Sequence, residues 1–79
     1  MISAEDLIVK VLKQEYKEGD RVELIEMDDL QAPPVGTRGT VKFVDDIGQI
    51  HVSWDNGSSL ALCIEDRWAR VEKEENNNG

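Results

Sequence analysis

Seventy-nine residues, 39% hydrophobic and 33% charged, make one small domain near the lower size limit at which an apolar core alone suffices. With 17 acidic against 9 basic residues the formal charge is −8, a sign that repels phosphate backbones and anionic membranes and disfavours direct nucleic-acid binding. The single cysteine, Cys63, forms no internal disulfide, and no apolar run approaches the roughly 18 residues needed to span a bilayer, so a cytoplasmic protein without membrane contact is expected.

In chain order, Ser3-Ala4-Glu5-Asp6 predicts a helix start. Ser3 offers an oxygen to a free backbone N–H, and Glu5 and Asp6 place negative charge at the positive end of the dipole. Leu7, Ile8, Val11 and Leu12 then recur on one helical face, and Gly19 is the predicted stop. A helix of about three turns is marginal alone, so this stripe needs a surface to dock on. Either the protein's own sheet or another molecule, including a second copy in a homodimer, could supply it.

Arg21 to Met27 reads as a strand with Val22 and Leu24 on one face. Asp28 to Gly36 reads as a loop, because Pro33 and Pro34 donate no ladder hydrogen bonds. Gly36 and Gly39 each suit either a positive φ or a tight backbone approach at the start of the next strand. Val41 and Phe43 alternate with Thr40 and Lys42, then Asp45-Asp46-Ile47-Gly48 turns the chain. Ile50, Val52 and Trp54 form the inward face of the following strand. Asn56-Gly57 predicts a type I′ hairpin, with both central residues at φ > 0. Leu60 and Leu62 alternate on the return strand, Ile64 to Arg67 suggests one helical turn, and Trp68 to Val71 a last strand. Lys73 to Gly79 lacks apolar residues and reads as a disordered tail. The expected units are therefore a helix at 1–18, a barrel at 19–72 and a tail at 73–79. The expected core is Val22, Leu24, Val41, Phe43, Ile50, Val52, Trp54, Leu60, Leu62 and Val71.

Catalytic signals are sparse. One His and one Cys make no zinc pattern, and Asp28-Asp29 and Asp45-Asp46 lack calcium-loop spacing. His51 and Cys63 are out of step for a nucleophile–base pair. No glycine loop cradles phosphate. The expectation is no enzyme, no cofactor and no metal.

Gly19-Asp20-Arg21-Val22, Ala32-Pro33-Pro34, Gly36-Thr37-Arg38-Gly39-Thr40-Val41, Asp45 to Val52 and Trp54 to Ser58 together resemble a family of small bacterial and phage domains of unknown function. That family is common on mobile elements of Gram-positive bacteria. The resemblance runs from Gly19 to about Val71 and leaves the helix outside. The rhythm is also similar to SH3-like small barrels, including modules of some ubiquitin ligases. These resemblances imply a mainly β fold, a barrel of about five antiparallel strands, and no activity. SH3 domains that take proline-rich peptides line their groove with several aromatics. This chain has four in all: Tyr16, Phe43, Trp54 and Trp68.

The expected function is a non-catalytic adaptor or accessory protein of phage or mobile-element origin, binding another protein. Candidate binding residues are the loop group Asp28, Asp29, Gln31, Pro33 and Pro34, and the basic–aromatic group Arg38, Arg67, Trp68 and Arg70, since Trp and Arg are enriched in binding hot spots. One alternative is an anti-defence inhibitor whose acidic surface mimics nucleic acid. Another is sequestration of a small signalling molecule in a pocket of the Pro33-Pro34 loop. A homodimer through Leu7, Ile8, Val11 and Leu12 stays open.

Overall fold

The computed structural model describes residues 3–72, so the Lys73–Gly79 tail lies outside the described residues. Helix α1 spans Ala4–Glu15, and strands β1 (Arg21–Glu26), β2 (Arg38–Val44), β3 (Ile50–Trp54) and β4 (Arg67–Val71) form one antiparallel sheet in the order β3-β2-β1-β4. Ser3 caps α1 by accepting the Asp6 N–H at 3.1 Å. The helix ends at Tyr16, three residues before Gly19, because Tyr16 leaves helical geometry to pack toward the sheet. Gly19, at φ 97°, instead serves the tight Lys17–Asp20 turn.

The core is Val22, Leu24, Val41, Val44, Ile50, Val52, Trp54 and Leu62, with Leu12, Tyr16, Met27 and Trp68 packed against it. Three expected core residues are corrected. Phe43 is 52% exposed, because a bulge between Val41 and Phe43 breaks the two-residue alternation and turns Val44 inward in its place. Leu60 and Val71 are only half-buried. Leu60 serves the core through its backbone, its carbonyl accepting the Trp54 indole N–H at 2.8 Å.

The turn after β3 also differs from expectation in an informative way. Among the described residues a left-handed φ occurs only at glycine, so Asn56 is not in the type I′ conformation and Gly57 alone carries φ 93°. Gly57 N–H donates to the Trp54 carbonyl (2.9 Å) and Trp54 N–H to the Ser58 carbonyl (3.1 Å). That is the three-residue hairpin loop, a turn followed by one left-handed glycine. The Asn56 side chain reinforces it by accepting the Ser58 N–H at 3.0 Å. The same pattern recurs at the β2–β3 turn, where Gly48 N–H reaches the Asp45 carbonyl (3.1 Å) and Asp45 N–H the Gln49 carbonyl (2.9 Å).

The two glycines before β2 divide the roles between them. Gly36 takes φ 92° in a turn closed by Thr37 N–H to the Pro34 carbonyl. Gly39 is where Trp54 and Val52 cross the strand: a Cβ there would lie 2.5 Å from Val52 Cγ1 and 2.9 Å from Trp54 Cε3.

The return stretch after the second hairpin contributes a single antiparallel bridge, Leu62 to Ile50, rather than a strand. Residues 64–66 form a turn rather than a helical one: Asp66 N–H donates to the Cys63 carbonyl, and the Asp66 carboxylate accepts the Cys63 N–H at 2.7 Å.

Candidate interaction groove

The residues expected to bind do not come together. Directly opposed residues of an antiparallel pair share a face. Arg38 opposes Glu23 and bonds it at 3.1 Å, whereas Trp68 and Arg70 oppose Leu24 and Val22, on the core-bearing face. Arg38 is thus on the other side of the sheet from Trp68 and Arg70. Trp68 is half-buried against Tyr16, edge to face at 6.1 Å between ring centres. Arg70 lies 4.7 Å over the Tyr16 ring, donates to the Glu15 carbonyl (2.7 Å) and pairs with Asp20 (3.3 Å). These two side chains clamp the end of α1 to β4, and Arg67 sits 3.9 Å from Glu26. In the loop, Asp29 accepts the Gln31 N–H at 2.7 Å, Pro33 is buried, Pro34 is exposed, and neither proline lines the groove described below or its neighbouring clefts. Asp28 and Asp29 border an acidic cleft with Glu26, Glu65 and Asp66.

A different surface emerges between α1 and two turns. The helix docks through Val9, Leu12 and Tyr16, with Val9 and Leu12 nearest Gly48. Its apolar arc is wider than the sheet can cover, so Leu7, Ile8 and Val11 stay 53, 44 and 46% exposed. Of these three, Ile8 shares a groove with Ile47, at the tip of the β2–β3 turn, and Ile64, in the turn after Leu62. Ile8, Val9, Ile47, Gly48 and Ile64 form the apolar lining of a groove of about 540 Å³, with Gln49 and Cys63 beside them, and Glu5, Asp6, Asp46 and Glu65 supply its carboxylates. No Lys, Arg or His lines it, although Lys13 pairs with Asp46 from the helix side.

The Ile47 wall is held by Asp45. Its carboxylate accepts the N–H groups of Ile47 (3.1 Å) and Gln49 (2.8 Å) and meets His51 Nε2 at 2.8 Å. The Gln49 N–H and the His51 contact hold its pKa below the ordinary aspartate range. His51 stacks on Phe43 at 4.3 Å. Cys63 borders both the groove and the acidic cleft. Burial first, then the nearby Asp66, push its thiol up, partly opposed by an amide contact from Gln49 at 3.7 Å. A protonated thiol beside an amide is a poor nucleophile. No group of three or more His, Cys, Asp or Glu among the described residues is arranged to hold a metal ion, and no helix there is long and apolar enough to cross a membrane.

Sequence reasoning missed Ile47 and Ile64. Their signal was present: each is a large aliphatic side chain inside an otherwise polar turn, where nothing in the chain's own core requires it.

Fold and groove define a small, mainly β domain with one helix, its helix and turns presenting an acidic-rimmed apolar face. The chain belongs to the family described as Domain of unknown function (DUF4314), which it matches over residues 5–71. The match begins at Glu5, so the family unit includes α1, which the resemblance seen in the sequence had left outside. No curated protein and no solved structure matches the chain.

Proposed function

We propose that the chain is a non-catalytic protein-binding module, an accessory or adaptor domain of mobile-element type, whose binding surface is the groove between α1 and the turns at 45–48 and 63–66. We read its sheet as an SH3-like barrel with one strand reduced to a bridge. The Leu62 bridge adds a fifth segment beyond β3, and bulges at Leu24/Glu26 and Val41/Phe43 supply the bends that closure needs.

One observation carries the binding reading. Ile8, Ile47 and Ile64, exposed aliphatic side chains lining one groove on a chain of net charge −8, are solvated at a cost unless something covers them, and an apolar patch rimmed by polar groups marks an interaction site. The nucleic-acid-mimic alternative draws less support. Of the eight acidic residues from Asp20 to Asp55, five (Asp20, Glu23, Glu26, Asp46 and Asp55) already face a Lys or Arg within the chain, and Asp45 is bonded to His51.

Photo-crosslinking in the native host tests the proposal. A photoreactive residue replacing Ile47 is compared with one replacing Val35, matched in exposure at 76 and 74% but remote from the groove. The reading predicts a discrete protein adduct at position 47 and none at 35. Equal adducts at both positions, or none at either, contradict it.

A further inference from the structure

We infer that the groove's occupant is an amphipathic helix with a Lys- or Arg-rich polar face, an inference that rests on the protein-binding reading and gives its partner a chemistry. Two features select this class. Glu5, Ile8 and Val9, at i, i+3 and i+4 along α1, form one wall of the groove and Ile47 and Ile64 stand on the turns that form the other, an open channel along a helix, the shape that a second helix packs into. Helix-in-groove recognition lays the apolar i, i+3, i+4 and i+7 anchors of an incoming amphipathic helix into such a channel. The second feature is charge. Glu5, Asp6 and Glu65 frame the apolar floor beside Asp46, which Lys13 already pairs, and no cation lines the floor itself, so an acidic or neutral helix would bring carboxylates together or leave the other three uncompensated, whereas a basic one meets opposite charge. The same argument weighs against a second copy of this chain, because each copy would present its own carboxylate rim to the other.

The test is calorimetric titration of the full chain with synthetic helices of about 18 residues, long enough to hold a helical population. One carries Leu at i, i+3, i+4 and i+7 with Lys elsewhere on its polar face. Its twin replaces Lys by Glu, and a third has the Lys composition with the leucines dispersed around the helix. The inference predicts one-to-one binding of the Lys helix, at least about tenfold tighter than either comparator. It also predicts weakening as salt rises from about 50 to 500 mM, where screening shortens to a few ångströms. Ile47→Asp and Ile8→Asp abolish the binding, and Val35→Asp keeps it. Equal affinity for the Lys helix and its Glu twin, or for the dispersed helix, overturns the inference, as does binding indifferent to Ile47→Asp. If crosslinking at position 47 succeeds while the Lys helix fails, the groove binds protein but not this class. If the Lys helix binds and crosslinking fails, the groove chemistry stands and the functional reading falls.

Discussion

Gly39 and Gly57 are both glycines that tolerate little else, for opposite reasons, and the difference is measurable. At Gly57 open space surrounds the missing side chain, so Gly57→Val is costly only through its φ of 93°, about 1–2 kcal/mol. At Gly39 the obstacle is contact, since a methyl would press into Val52 and Trp54, buried side chains that cannot swing away. Gly39→Ala is expected to lower stability by about 1–3 kcal/mol, the cost of overpacking. Thermal melts of both variants check this, and Gly39→Ala melting with the parent would contradict the packing described. Cys63 gives a second prediction at this scale. Because burial and Asp66 raise its pKa, iodoacetamide should modify it much more slowly in the native chain than in urea, where an ordinary thiol returns. Equal rates would contradict that environment.

The helix has two jobs on two parts of its surface, and substitution separates them. Leu12 and Tyr16 pack on the core, whereas Leu7 and Val11 do not. Leu12→Ala should cost about 1–2 kcal/mol, below the full cavity range because Leu12 is only partly buried. Leu7→Asp should leave the melting temperature unchanged. A fall with Leu7→Asp as large as with Leu12→Ala would mean that the whole stripe is structural. The turns make a pH prediction. Asp45 is lowered by the Gln49 N–H and His51, and Asp55 by Arg21, which bonds both its oxygens at 2.9 and 2.7 Å. A carboxylate whose pKa is lower folded than unfolded stabilises fully above the unfolded value, about 4, and the benefit disappears as pH falls through the folded value. Melting temperature should therefore hold from pH 7 to about 5 and drop below about 4. Asp45→Asn and Asp55→Asn should flatten that drop, and an unchanged profile would remove these contacts from the account. The elements were legible because the chain announces them locally. Ser3 with Glu5 and Asp6 marks α1, and alternation at Ile50, Val52 and Trp54 marks β3. The turn conformation at Asn56 was not legible, since a dipeptide does not state how many residues the loop will use. Nor was the bulge at Phe43, which depends on register with His51.

At the scale of the molecule, net charge is distributed so that much of the acidity is internally paired on the sheet while the groove keeps carboxylates around an apolar floor. Little of this could be read from the sequence, because the groove joins positions 5–9, 46–49 and 63–65, which only the docking of α1 over Gly48 brings together. The basic–aromatic group suggested by composition proved to be split between the two sides of the sheet, with Trp68 and Arg70 occupied in holding the helix. The central claim is that the acidic-rimmed groove, and not that group, is the recognition surface. The most direct test is a titration of the nitrogen-15-labelled protein with the Lys-rich amphipathic helix, followed by amide shift changes in two-dimensional NMR. The account predicts changes concentrated at Asp6 to Val11, Asp46 to Gln49 and Cys63 to Glu65. Changes centred on Arg38, Arg67, Trp68 and Arg70, or scattered evenly over the sheet, would contradict it.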